Sequence, residues 1–216
     1  EYSRSDTTIK VKCLSDRVPN MADPIDDFLV PEILDAALEA EADGAEAIII
    51  DCMDDPAVDG ARRLVDIPVV GPGHASMSLA AVLGHKFSIL YPMKNLTFQK
   101  GLVHKYHFSP MLASIRRLDC GLDSFLSNSS AAEGCLKETS LEAIKNDGAE
   151  VIIPACGLAH SYVKSLESFL SQEGFSVPVI NGPATAIKMA ESLRDMGLKQ
   201  SRQAFPYPLG VSQRIA

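Results

Sequence analysis

The stretch Asp43-Gly-Ala-Glu-Ala-Ile-Ile-Ile-Asp-Cys52 is written twice in this chain. It returns as Asp147-Gly-Ala-Glu-Val-Ile-Ile-Pro-Ala-Cys156, displaced by 104 residues throughout. Asp, Gly, Ala and Glu match in order, an apolar run follows, and a cysteine closes each copy. A second pair lies downstream: Ile67-Pro-Val-Val-Gly-Pro-Gly-His-Ala75 is echoed by Val177-Pro-Val-Ile-Asn-Gly-Pro-Ala-Thr185 at an offset of 110. The repeated object is a half-domain, not a short solenoid unit. A short apolar run bounded by turn residues suits a strand buried on both faces. Gly44 and Gly148 stand where a helix ends in a left-handed residue. Each copy therefore gives helix, glycine turn, strand, cysteine. In a parallel sheet the C-terminal strand ends border the ligand crevice, and both cysteines belong at such an end. The expected fold is α/β, with two pseudo-symmetric lobes, each a parallel sheet flanked by helices. Residues 1–84 with 186–216 form the first lobe and 85–185 the second. Two-fold packing of the halves would set Cys52 and Cys156 across one cleft.

Outward from the repeat, Thr7 to Cys13 alternates and is β-branched, which predicts a strand with Cys13 packed in it. Residues 15–31 predict a loop, and 31–42 a helix ending at Gly44. Asp55 followed by Pro56 resembles a helix N-cap and first helical position, with a direct role in catalysis as the alternative. Asp54 suits a solvated position or one that orients the cleft. Residues 68–71 predict a strand. The turn Gly71-Pro-Gly-His-Ala-Ser then leads into a helix over 76–83, and its backbone N–H groups suit an anion. His74 fits a polar wall of a site and equally a helix cap or solvent-facing position. A strand over 86–91 ends at Pro92. A helix follows over 95–107, then strand and loop over 111–121. A helix within 128–147 carries Cys135 as an inert thiol. The helix opened by Gly157 runs to about 172, a strand spans 177–181, and an amphipathic helix spans 185–195. A tail with Pro206 and Pro208 packs irregularly. The second half begins with the strand near Phe87, well upstream of its cysteine. The first half has fewer residues before Cys52, so its opening strand and part of a helix are expected to be missing.

The 216 residues carry a net charge of −8. Basic residues cluster no further than Arg62-Arg63 and Arg116-Arg117, which argues against nucleic acid as the main partner. No apolar run approaches bilayer length. Residues 1–12 are polar and mixed in charge, unlike a signal peptide. Five cysteines, at 13, 52, 120, 135 and 156, form an odd set without CxxC spacing. That argues against a disulfide framework or a structural zinc site and favours a reduced, cytoplasmic setting. His104 and His107 have chelate spacing but no third ligand is obvious, so no metal is expected.

Two thiols at matched repeat positions suit one reaction. A thiol titrates near ~8.5, lower at a helix N-terminus, and both cysteines precede expected helix starts. One thiolate can remove a Cα proton while the other sulfur, as a thiol, delivers a proton to the opposite face. Backbone N–H groups near Gly157 and in the 71–75 and 182–185 turns can stabilise the enolate oxygen. No metal or organic cofactor is needed. The alternative is two strand-end cysteines kept for packing.

The chain resembles the aspartate/glutamate/hydantoin racemase superfamily, in its hydantoin and allantoin racemase branch. The matching residues are Cys52-Met-Asp-Asp-Pro56, Pro68-Val-Val-Gly71 with Gly73, Gly84-x-x-Phe-Ser88, Asp147-Gly-Ala-Glu, Cys156-Gly157 and Pro178-Val-Ile-x-Gly182. The resemblance implies cofactor-free racemisation of a small molecule, Cys52 and Cys156 as the acid/base pair, and usually a homo-oligomer. It also implies substrate-binding roles for Gly73, His74, Tyr91, Gly157, Gly182 and Pro183. His74 stands where the family often has Glu, Tyr91-Pro92 where it commonly has Thr-Thr, and Leu158-Ala-His160 where it has Ala-Gly-Met. The family's Asn-Pro-Asn-Thr-like first loop is absent. Two other functions fit the same residues: maleate-isomerase-like cysteine chemistry, and non-catalytic binding of a small molecule.

Overall fold

The structure is a computed structural model that describes residues 2–14 and 26–208. The chain divides into two compact units. One comprises Glu1–Asp51, Asp55–Gly71 and Ala186–Ala216; the other comprises Cys52–Asp54 and Pro72–Thr185.

In the first unit α1 (Asp26–Ala42) ends at Gly44, whose φ is +82°. Then come β1 (Ile48–Ile49), α2 (Val58–Leu64) and β2 (Val69–Val70). β1 and β2 run parallel, with Ile48 opposite Val69. The exposed side of β2 is closed by the Gln200 amide, whose Oε1 accepts from Val69 N at 3.1 Å and whose Nε2 donates to Val69 O at 3.3 Å. Such pairing satisfies backbone groups that an edge strand would leave open. Ile33, Ala37, Val58, Ala61, Val65 and Val69 form this unit's core.

The second unit contains α3 (Pro72–Leu83), β3 (Phe87–Tyr91), α4 (Thr97–Lys105), β4 (Leu112–Arg117), α5 (Gly121–Leu126), α6 (Ser130–Asp147) and β5 (Val151–Pro154). A 3-10 turn over Gly157–Tyr162, α7 (Val163–Gln172) and the first turn of α8 (Gly182–Asp195) complete it. Its strands run in the order β4-β3-β5, all parallel. Side chains alternate across a strand. Phe87, Ile89, Tyr91, Val151 and Ile153 accordingly enter one core, while Leu90 and Ile152 enter the other with Leu136 and Leu166. Burial on both faces explains why these strands are continuous apolar runs.

The sequence repeat is a structural repeat within each unit. Ile48 pairs with Val69, and Ile152 pairs with Val179. Ile48 N donates to Pro68 O at 2.8 Å, and Ile152 N donates to Pro178 O at 3.0 Å. These partners are the residues that the offsets of 104 and 110 equate. Gly148, like Gly44, is left-handed, with φ +73°. Helices α3 and α8 begin at Pro72 and Gly182, again 110 apart.

Several local expectations change. Residues 7–13 form no strand. Ile9 is 52% and Val11 83% exposed, so the alternation has no sheet to cover. Arg4 N and Thr7 Oγ1 instead donate to Glu191 Oε1, at 2.9 and 2.8 Å. Cys13 is exposed, not packed. Asp55 does not cap α2, which begins only at Val58 and has no side-chain cap. Asp55 and Ala57 are left-handed, at φ 51° and 57°, a conformation uncommon outside glycine. The Asp55 carboxyl lies against Gly71, where any Cβ would collide with it. The turn at 71–75 is itself the first turn of α3, and α8 starts three residues earlier than expected. The expected strand at 177–181 is reduced to the Val179 bridge. Of the loop expected over 15–31, residues 15–25 lie outside the described residues and 26–31 belong to α1.

Candidate active site

Tyr91 ends β3, and Cys156 follows β5 by two residues, so the parallel sheet delivers both to its C-terminal edge. The ladder continues just past the strand ends: Ala155 N donates to Leu90 O and Leu118 N to Tyr91 O, both at 2.8 Å. Cys52–Asp54 is grouped with this unit although its flanking residues are not. Both repeat cysteines therefore belong to one compact body.

Two side chains fix the short segment after Cys52. Met53, 4% exposed, packs on Gly182; a Cβ there would run into Met53 Sδ and would lie 3.4 Å from Ser76 Oγ. The missing side chain at Gly182 thus gives Met53 its room. Asp54 accepts on Oδ2 from the Tyr91 hydroxyl at 3.0 Å and on Oδ1 from Gln99 Nε2. Gln99 is 1% exposed and Tyr91 4%. Burying these polar groups is tolerable because the carboxylate satisfies them.

Cys156 is half-buried and N-caps the 3-10 turn in an extended conformation. Burial pushes its thiol above the ordinary value. The backbone N–H groups of Leu158 and Ala159 act in the opposite direction, and the charge of Asp54 raises the thiol further. Cys156 therefore rests as a thiol at neutral pH. Cys52 is half-buried.

The remaining expected residues fall as follows. Gly73 and His74 lie in the first turn of α3. The His74 ring stacks on Tyr106, with centroids 4.1 Å apart and planes at 11°. Gly157 opens the 3-10 turn, and its carbonyl lies 2.9 Å from His160 Nδ1. Gly182 and Pro183 open α8, where Asn181 Oδ1 accepts from Ala184 N at 3.1 Å. Ser76 Oγ and Asn181 Nδ2 are buried and make no hydrogen bond with other described residues. Among the described residues, no group of three or more His, Cys, Asp or Glu side chains is arranged to hold a metal.

Gln99 and Ser76 escaped the reading of the sequence. Gln99 carried a signal: it shares the buried stripe of α4 with Leu102 and Val103 at i, i+3 and i+4, a spacing that marks the core-facing side. Ser76 carried none.

The Asp/Glu/Hydantoin racemase family matches residues 15–190. The chain belongs to this family. With that it is an isomerase, and the resemblance carried by the repeated motifs holds. A hydantoin racemase of Pseudomonas sp. (strain NS671) is 30% identical over 209 residues, covering 95% of this chain and 82% of that protein. Allantoin racemase from Klebsiella pneumoniae superposes with a TM-score of 0.87 at 27% identity, over 96% of this chain and 84% of its own. Glutamate racemase from Francisella tularensis superposes at 0.60 with 18% identity, over 92% and 79%, and shares the fold. Among the described residues, no helix is long and apolar enough to cross a membrane.

Proposed function

We propose that this racemase inverts the Cα of a hydantoin-like small molecule, without a cofactor, using Cys52 and Cys156 as its two proton-transfer groups. One observation carries the reading. Cys52–Asp54 is grouped with the unit that carries Cys156, and Asp54 accepts from the Tyr91 hydroxyl at the sheet edge where Cys156 also lies, which supports both repeat cysteines serving one site. Names borne by relatives support the substrate class: hydantoin racemase and allantoin racemase.

The step is balanced without an added reagent. The sulfur of Cys52, as thiolate, takes the Cα proton and leaves an enolate on the adjacent carbonyl. Cys156, held as a thiol, donates its proton to the opposite face. The product enantiomer is then released with the charges exchanged between the sulfurs, and the reverse reaction uses the exchanged form. Each transfer is worth about 10²–10⁴-fold. The buried Ser76 Oγ and Asn181 Nδ2 are donors suited to the enolate oxygen. The odd cysteine count without CxxC spacing supports a reducing, cytoplasmic setting. Homo-oligomerisation is inferred from the family alone.

The test follows the optical signal of an enantiopure 5-benzylhydantoin. The native protein is expected to abolish it faster than buffer does. Cys52→Ser and Cys156→Ser are each expected to fall to the buffer rate. Ligand-dependent thermal stabilisation with no loss of optical signal would favour a binding protein instead.

A further inference from the structure

We propose that Cys120 and Cys135 form an oxidative modification site: two thiols lining one surface cavity, closed to a disulfide by a small neutral peroxide and reopened by a thiol reductant. The site stands apart from the proton-transfer mechanism proposed above.

The two thiols come from separate elements. Cys120 follows β4 by three residues and stands just before α5, while Cys135 sits in the second turn of α6. Both are half-buried. The Cys120 thiol hydrogen-bonds with Cys135, so the side chains already point at each other, which a bridge without backbone movement requires. They line a cavity of about 480 Å³. Its α6 wall is open: a Cβ added at Gly134 would meet nothing within 4 Å. A small oxidant therefore reaches the sulfurs. The charged lining is net negative, with Asp119, Glu138 and Glu142 against Arg117. That favours a neutral peroxide over an anionic disulfide such as oxidised glutathione.

Cys120 keeps its proton in the hydrogen bond, so the Cys135 sulfur attacks first. It breaks the peroxide O–O bond and becomes a sulfenic acid, releasing water. The Cys120 sulfur then displaces the hydroxyl from the Cys135 sulfur, and the Cys120 proton leaves with that hydroxyl as water. One S–S bond forms; the two thiols lose two electrons and the peroxide gains them. A small thiol reverses the change by exchange. The bridge closes residues 121–134. That stretch holds Tyr162, the last residue of the 3-10 turn that Cys156 caps: Phe125 meets its ring edge-on with centroids 6.0 Å apart, and Ser129 O accepts from its hydroxyl at 3.4 Å. Closing this loop restrains the unfolded chain, so oxidation clamps the stretch in place.

Trypsin leaves both cysteines on one peptide, residues 118–137. Native protein is treated with hydrogen peroxide, unfolded, alkylated with iodoacetamide, digested without reductant and mapped by mass spectrometry. The peptide is expected to lack both alkyl groups and the mass of two hydrogens, and dithiothreitol before alkylation is expected to restore both thiols. The oxidised protein is expected to melt about 3–6 °C higher. In Cys120→Ala, dimedone is expected to trap a sulfenic acid at Cys135. In Cys135→Ala, Cys120 is expected to stay reduced, and neither variant is expected to gain stability from peroxide. Alkylation of both thiols in peroxide-treated native protein, a bridge from this peptide to a different one, or equal stabilisation of the single variants would overturn the inference. Should a variant fail to fold, the native peptide map decides alone.

Discussion

The Tyr91 hydroxyl donates to the Asp54 carboxylate at 3.0 Å, tying the end of β3 to the segment that carries Cys52. The same carboxylate helps to hold the Cys156 thiol in its protonated form. Removing its charge removes one of the effects that raise that thiol. In Asp54→Asn the Cys156 thiolate is therefore expected to form at lower pH than in the native protein. Ultraviolet thiolate absorbance, taken as a difference against Cys156→Ser in each background, checks the direction. Burial, the largest cause, remains, so the shift is partial.

Gly182 tests how tightly the Cys52 segment is seated. An alanine there meets Met53 Sδ, the flexible end of a side chain that can move aside. Stability is expected to change by no more than about 1–3 kcal/mol. Racemisation is expected to fall by up to about 10²-fold, because Met53 adjoins Cys52 and small misplacements of reacting groups are costly. Denaturant melts and turnover on the same preparation separate the two effects.

Gly44 and Gly148 are left-handed, at φ +82° and +73°, with open space around each Cα. Alanine at either position meets no neighbour and suffers only the backbone penalty, about 1–2 kcal/mol. Equal losses at the two sites, read by urea unfolding, would show that the duplicated turns do the same work.

These turns mark what the sequence made legible. The two offsets marked the helix stops at Gly44 and Gly148 and the apolar strand before each cysteine, because buried parallel strands and left-handed caps leave strong residue signatures. Tertiary contacts were less visible. Thr7–Cys13 alternates like a strand, yet alternation does not supply a neighbour to pair with. Asp55-Pro56 looks like a cap, but Asp55 and Ala57 are left-handed and α2 begins only at Val58. Asp54 was left open between solvent and cleft because its partners, Tyr91 and Gln99, lie 37 and 45 residues away.

Cys120 lies beside Cys135, and its thiol is pushed up to about 12, first by burial and then by the hydrogen bond with Cys135. The thiolate is the reactive form. At pH 8 Cys120 is therefore expected to alkylate far more slowly than the exposed Cys13. Mass-spectrometric mapping of iodoacetamide adducts over time checks the order.

Glu191 accepts from Arg4 N, Lys188 Nζ and Thr7 Oγ1, and these contacts hold its carboxyl down at about 2. A carboxylate lowered on folding contributes stability above its unfolded pKa and loses it as pH falls toward the folded value. Stability from Glu191 is thus expected to be full above about pH 4.5 and to fade toward pH 2. Glu191→Gln is expected to be less stable than the native protein at neutral pH, with the gap closing across that window. Melting temperatures at a series of acidic pH values check it.

The most direct test of the two-sulfur mechanism is deuterium exchange at Cα in heavy water, started from each enantiomer of 5-benzylhydantoin. Cys52→Ser and Cys156→Ser are each expected to lose racemisation, and any surviving exchange is expected from opposite enantiomers in the two variants. Racemisation at the native rate by either variant, or exchange from the same enantiomer in both, would contradict it.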